Sequence, residues 1–351
     1  MNRERSFQLL RTAVSLLIAL AAAYLIIFLI SDTPLEAIRI FTAGPFDSKR
    51  HLGNIVEAAI PLIFSGLAMA VVFQASLFNL GAEGIYYISG AAVSLVAIFY
   101  SMPAGIHPLV IVILGGVIGA AVMAIPGVLR AKFNASELVT SLMLNNILLG
   151  VGLWILTNFM RDPETGNQIS YKFAETALLP RIVPGTRIHF GLIIALACVL
   201  LTYLFLYRTK WGYEIRMTGI NRDFARYSGI NTAKVIILAH LVSGVLAGMG
   251  GAVETIGLHQ RFEWTALPGY GFDGAMIAMM GGNHPLGVVL SALFVAYLRV
   301  GADMVARLSD VPTEMVSILQ ALIILLVSAE RFLHSYRQKW IEKGVKHGRA
   351  A

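Results

Sequence analysis

The sequence is short of charge and almost without cysteine. Only 13% of its 351 residues are Asp, Glu, Lys or Arg, about half the share found in an ordinary soluble domain. The single cysteine, Cys198, lies inside an apolar run. No internal disulfide can form, and the residue reads as a small buried hydrophobe. No lysine is followed by Ser or Thr. That removes the P-loop, whose lysine reaches the phosphates and whose hydroxyl holds magnesium. The eight histidines show no His-x-x-x-His or His-Glu-x-x-His spacing, and there is no Cys pair, so no metal site is expected. Gly-x-Ser-x-Gly is missing as well. These absences exclude the common routes to nucleotide hydrolysis, metal-assisted chemistry and serine-based acyl transfer. No cofactor is implied, and the chain is not expected to be an enzyme.

What is abundant is apolar: 57% of the residues are hydrophobic and the mean hydropathy is +0.73. A soluble chain of this length would be expected to divide into two domains. Here many runs are long enough to cross a bilayer, so the expectation is one all-α polytopic membrane domain over residues 1–351. Residues 12–30 make 19 uncharged positions after Arg3, Arg5 and Arg11. That run exceeds the roughly 7–15 residues of a signal-peptide core, and Ile30-Ser31-Asp32 is not a small-x-small cleavage site. It is read as a retained first helix, about 28 Å long. The runs 58–82, 85–106, 108–129, 138–160 and 190–207 each reach 18 residues, the usual spanning threshold. Farther on, 235–253 contains His240, 266–282 contains Asp273 and several glycines, 285–298 stops before Arg299, and 315–329 completes the series. Extended across their flanks, these give about ten crossings, the eighth of which is expected to be broken or re-entrant.

Lys and Arg set the orientation, because cytoplasmic loops carry an excess of them. With the N-terminus inside and ten crossings, the inner segments hold 17 of the 27 basic residues. Six of these fall between Arg208 and Lys234 and six between Arg331 and Arg349. Both termini are therefore expected in the cytoplasm. The basic tail, 331–351, is expected to lie along anionic headgroups. The net charge of +7 sits in short patches between apolar runs and forms no basic domain, so nucleic acid is not expected as a partner. Two outer segments, 31–53 and 161–189, carry several Pro and Gly residues and are expected to form ordered turns.

Three polar constellations stand out. In the basic segment 211–230, Gly212 and Gly219 are read as bracketing a short helix. Asn221 is a fitting N-cap for a second one, with Asp223 and Phe224 in its first turn, and Gly229 fits its C-terminal cap. That helix would expose Arg222, Arg226 and Tyr227. It is either a loop that only sets topology or a docking helix for a cytoplasmic partner. Next, Phe78-Asn79-Leu80-Gly81-Ala82-Glu83-Gly84 joins the second and third runs. It is either a simple turn or the lining of a polar cavity, since ionisable groups at membrane depth are costly. Last, Gly269 to Gly274, with Asp273, followed by Gly281-Gly282-Asn283-His284-Pro285, marks an interrupted helix. Helices 2–5 and 7–10 would start from opposite faces, as an inverted repeat requires. Glu57, Glu137, Asn145, Asn146, His240 and Glu254 also sit in or beside spanning runs, where interhelical hydrogen bonds are the first expectation. Gly244-x-x-x-Gly248 reads as close helix packing.

These segments resemble bacterial ABC importer permeases for nucleosides and simple sugars, within the ribose and branched-chain amino acid permease superfamily. The resemblance is carried by Phe78 to Gly84, by Glu137-Leu-Val-Thr-Ser-Leu-Met-Leu-Asn145, and by Gly219-Ile220-Asn221 with Ala225-Arg226-Tyr227 and Gly229-Ile230. Gly271-Phe272-Asp273-Gly274 and Gly281 to Gly287 complete it. It runs over about 54–330. It implies a permease subunit in a bacterial cell membrane, paired with a second and different permease and driven by separate cytoplasmic ATPases. Solute would come from an extracytoplasmic solute-binding lipoprotein. The resemblance further implies that the Gly212–Ile230 loop is the ATPase-coupling element, its residues being Gly212, Gly219, Asn221, Arg222, Ala225, Arg226, Tyr227 and Gly229. Asn79, Glu83, Asn145 and Asp273 are the candidate translocation pathway. The Gly-Ala-Glu-Gly form and the long first outer loop are closer to the nucleoside branch than to the ribose branch. One departure is Ile85-Tyr86-Tyr87, where a Gln and smaller groups would be expected. The alternatives are a sugar permease of the same family, or an ion- or proton-coupled carrier using Glu83 or Asp273.

Overall fold

The computed structural model describes residues 21, 24–29, 31–312 and 318. Most of the expected first run, the tenth run at 315–329 and the basic tail lie outside the described residues. The regular structure that the described residues form is helical. Seven helices among them are long and apolar enough to cross a membrane. The chain divides into two compact units, 48–297 and the combination of 1–47 with 298–351.

In the second of these units, α1 (Pro34–Thr42) opens with proline in its first turn, where the missing N–H costs nothing. Its entry is tied down by Asp310, whose carboxylate accepts from Ser31 Oγ at 2.7 Å and from the Asp32 N–H. The Ser31 hydroxyl and the Asp32 N–H together hold that carboxyl below its ordinary range.

The larger unit is built on α2 (Lys49–Gln74), α3 (Ala82–Phe99), α4 (Ile106–Phe133), α5 (Glu137–Ile155), α6 (Gly191–Arg208), α7 (Lys210–Ile220), α8 (Arg222–Tyr227), α9 (Thr232–Gly257) and α10 (Tyr270–Met280). A further helix, α11 (Pro285–Leu308), leads out of it. α9 is the central post and packs on α2, α3 and α4. Its contact with α4 is backbone to backbone. A Cβ at Gly119 would collide with the Gly244 carbonyl, and one at Gly248 with the Gly115 carbonyl. The Gly244-x-x-x-Gly248 pattern thus meets Gly115-x-x-x-Gly119, which is how apolar helices associate where water supplies no drive.

Two expected spans end early. The run 58–82 is helical only to Gln74, because Ser76 takes a left-handed backbone at φ 54°. The run 266–282 supplies only the 11 residues of α10, about 16 Å at 1.5 Å per residue, roughly half a hydrocarbon core. The segment 161–189, expected outside, forms ordered turns. Ser170 N donates to Phe262 O at 3.0 Å, Phe173 N to Gln260 O at 2.9 Å and Leu179 N to Ile256 O at 3.0 Å. Arg261 clamps it, reaching Asp162 Oδ2 at 2.6 Å and Ser170 O at 3.0 Å, and its guanidinium holds the Asp162 carboxyl below the usual range. His189 is 2% exposed. Burial pushes its imidazole down to about 4, and its Nδ1 accepts the Gly191 N–H at 3.2 Å.

Candidate functional site

The segment between α2 and α3 is buried yet irregular: Leu77, Asn79 and Leu80 are all at or below 5% exposure. Backbone in that position must find partners, and α5 provides them. Ser141 Oγ accepts from Leu80 N at 3.1 Å. Asn145 Nδ2 donates to Leu80 O at 3.0 Å, and Asn145 Oδ1 accepts from Gly84 N at 3.0 Å. Asn79 turns its own chain, its Oδ1 accepting from Gly81 N at 2.6 Å. A Cβ at Gly84 would stand 2.8 Å from Asn145 Cα, so only glycine lets the two segments approach. Phe78 to Gly84 is therefore not a surface turn. Residues 75–81 are an irregular connection between α2 and α3, and the backbone there and in the first turn of α3 is satisfied by side chains of α5, about sixty residues downstream.

Glu83 joins this stretch to α10. The first N–H groups of a helix lack intrahelical partners and carry the positive end of its dipole. Both Glu83 oxygens meet such groups, Oε1 accepting from Gly269 N at 2.5 Å and Oε2 from Gly271 N. Gly269 adopts φ +88°, and a Cβ at Gly271 would come 2.6 Å from Glu83 Cβ. Asp273, 6% exposed, lies in the same first turn, within electrostatic reach of Glu83. Glu83, Asn79 and Asn145 are thus gathered around one irregular connection, with Asp273 at the N-terminus of α10 beside it.

Next to this junction stands a ring cluster that the sequence did not reveal. Tyr86 lies 4.8 Å from Tyr270 and 6.1 Å from Trp264, centroid to centroid. Tyr270 donates its hydroxyl to Glu254 Oε1 at 2.6 Å, so Glu254 forms an interhelical bond, as its place in an apolar run suggests. Glu137 pairs with Arg130 at 3.0 Å. His240 and Asn146 instead bond to their own helices, at Ile236 O (2.8 Å) and Leu142 O (3.0 Å). The tyrosines at 86 and 87 are fully buried.

At the opposite end of α10 the basic segment forms two helices. Thr209 Oγ1 caps α7, accepting from Gly212 N at 3.1 Å. Gly212 and Gly219 lie inside α7 rather than bracketing it. Their role is packing, since side chains there would collide with the carbonyls of Phe205 and Gln74. Asn221 caps α8, its Oδ1 accepting from Phe224 N at 2.9 Å. Gly229 closes it at φ +86°, with Ile230 N donating to Ala225 O at 3.0 Å. Ala225 is buried, while Arg222, Arg226, Phe224 and Tyr227 are exposed, Tyr227 to 92%.

A family profile described as "Branched-chain amino acid transport system / permease component" matches residues 51–328. The chain belongs to this permease family. It is similar to the guanosine ABC transporter permease protein NupP of Bacillus subtilis (strain 168), with 31% identity over 347 residues covering 97% of this chain and 99% of that one. The glucose ABC transporter permease protein TsgB13 of Haloferax volcanii is 33% identical over 335 residues, covering 92% and 88%. The nucleoside ABC transporter permease protein NupB of Lactococcus lactis subsp. cremoris is 31% identical over 293 residues, covering 81% and 80%. As a multi-pass member of the permease family, the chain is a transport component, and the packed junction of α3, α5 and α10 lies within the family match.

Proposed function

We propose that this permease is one membrane half of an ATP-driven importer for nucleosides in a bacterial cell membrane. The observation that carries the reading is the near full-length similarity to a guanosine permease, with a second relative named for nucleosides. The permease crosses the membrane about ten times with both termini cytoplasmic, as a single domain whose core is 54–330. It hydrolyses no ATP itself. It pairs with a second, different permease and accepts solute from an extracytoplasmic solute-binding lipoprotein. α8 rests in a cleft of a cytoplasmic ATPase through Arg222, Arg226 and Tyr227. Support comes from its capped ends, its buried Ala225 and its exposed ring and guanidinium groups. The inverted repeat is supported by Glu83 and Asp273, which occupy first turns of helices entered from irregular segments. Asn79, Glu83, Asn145 and Asp273 shape the translocation pathway, Asn145 and Glu83 by holding the backbone around it.

The glucose permease relative favours a sugar as the second reading. The ion-coupled reading is weakened by Glu83, whose oxygens both face backbone N–H groups. The test is uptake by proteoliposomes holding the chain with its co-purified partners. Labelled guanosine is expected to enter only with ATP and to be displaced by other nucleosides but not by glucose. Arg222→Glu with Arg226→Glu is expected to release the ATPase and abolish uptake. Uptake that follows a proton gradient without ATP would sink the importer reading. Displacement by glucose alone would replace nucleoside with sugar.

A further inference from the structure

One ring stack ties the α7–α8 surface to α10, and nothing in the family match assigns it a role. α7 and α8 share Asn221, which ends the first helix through its N–H to Met217 O at 3.1 Å and caps the second. A displacement of α8 is therefore passed to α7. α7 is fixed in turn on the end of α2. Gly219 packs against the Gln74 carbonyl, and Ser76 Oγ donates to Gly219 O at 2.7 Å. Arg216 lays its guanidinium 4.8 Å from the centroid of the Tyr207 ring. Tyr207 lies 5.1 Å from His284, and Tyr203 lies 5.3 Å from Tyr207 and 5.7 Å from His284. Gln74 Nε2 donates to both Tyr207 OH (3.3 Å) and Asn283 O (2.9 Å). One compact cluster thus spans α7, α6, α2 and the turn that ends α10.

That turn is stiff. Gly282 and Asn283 are both left-handed, at φ 63° and 55°, and Asn283 N donates to Ala278 O at 2.7 Å. Gly281 and Gly287 approach too closely to admit side chains. α10 then lies tight along α2, where a Cβ at Gly274 would come 2.7 Å from the Ser65 backbone and one at Gly66 2.8 Å from Ile277. Its far end sits in the Glu83 cradle. A short helix this closely packed moves as a body, because cores transmit strain and do not absorb it.

We propose that Arg216, Tyr207 and His284 are the joint through which displacement of α8 drives α10 against its Glu83 cradle. They are positioning residues for transport, not contacts to ATPase or solute. The proposal rests on α8 being the ATPase-docking helix. Its test is Arg216→Leu in the full chain, reconstituted with the ATPase that co-purifies with it. Three quantities are read: ATPase retained, ATP hydrolysis rate, and solute taken up per ATP. Retention and hydrolysis are expected to match the unmutated complex, while uptake per ATP falls about fivefold or more, the low end of ordinary coupling between sites. Arg216→Lys, which keeps a cation over the ring, is expected to restore part of it. Tyr207→Phe keeps the ring and loses only the hydroxyl bonded to Gln74. It is expected to fall in the same direction, and it supplies the result if Arg216→Leu folds poorly. Unchanged uptake per ATP in both variants overturns the joint. So does a parallel loss of retained ATPase, which would place Arg216 in the docking surface itself. Failure of the docking reading shows on a different pair, Arg222→Glu with Arg226→Glu. If that pair retains the ATPase, docking through α8 is wrong and the joint falls with it.

Discussion

Asn145 and Asn146 are adjacent identical residues, and the structure gives them opposite weights. Asn145 is 3% exposed and holds Leu80 O, in the irregular connection before α3, and Gly84 N, in the first turn of α3, each at 3.0 Å. Asn146 is exposed and, among the described residues, bonds to Leu142 O of its own helix. Asn145→Leu keeps the volume and leaves the buried Gly84 N–H without its side-chain partner, while Leu80 O keeps the Glu83 N–H at 3.4 Å. One orphaned buried donor costs about 1–3 kcal/mol, and that is the loss expected of the variant. Asn145→Asp keeps the acceptor for Gly84 N but turns a second oxygen toward Leu80 O, and should fall in the same range. Asn146→Leu should stay within about 0.5 kcal/mol. Equilibrium unfolding in mixed micelles, followed by tryptophan fluorescence, measures all three. Ser141→Ala, which removes the acceptor for Leu80 N, should be non-additive with Asn145→Leu because both act on one residue. Equal stabilities for Asn145→Leu and Asn146→Leu would refute the clamp.

Two further outcomes follow from the 161–189 loop and the helix core. His189, pushed by burial to about 4 from an ordinary 6.5, binds its proton more readily in the unfolded chain. Its contribution is therefore complete above pH 6.5 and is lost as the pH falls from 6.5 toward 4, a total of about 3 kcal/mol. A pH series of unfolding midpoints checks it, with His189→Gln expected to flatten that window. Gly248→Val puts a branched side chain against the Gly115 backbone and should cost several kcal/mol, about 3 or more by overpacking. The thermal unfolding midpoint of the purified chain reads it.

The spanning runs were legible because length and apolarity alone decide them, and the caps at Asn221 and Gly229 because short polar residues and glycine have few other uses there. The breaks were less so. Helix α2 stops at Gln74, two residues before Ser76, a non-glycine in the left-handed region. Nothing local marks that, since the partners that make the break affordable sit on α5, from Ser141 to Asn145. Gly212 and Gly219 looked like punctuation and proved to be contact points. A glycine required by a neighbour's carbonyl has the same letter as one required by a turn. The Tyr86–Tyr270–Trp264 and Tyr203–Tyr207–His284 clusters were invisible because ring contacts between distant elements leave no period in the sequence.

A carboxylate in an apolar run admits two roles, a charge carrier or a structural anchor, and the geometry at Glu83 supports the second. A carrier needs an oxygen open to a cation or a proton path. Here both oxygens receive N–H groups from the start of α10. The start of α10 is part-buried, with Gly269 and Tyr270 intermediate and Gly271 and Asp273 buried, and unpaired N–H groups in such a place are costly. Glu83 removes that cost, and it also makes the start of α10 the place where movement is most expensive. Parting the two would expose a buried carboxylate and two donors at once, roughly 3–6 kcal/mol at the usual value of a charge-assisted bond. A free-energy difference of that size keeps the parted state below about 1% at rest, and work delivered from elsewhere raises that population. The other end of α10 is joined through Asn283 and His284 to Gln74 of α2 and Tyr207 of α6, and from Tyr207 to Arg216 of α7, and that is where such work can enter.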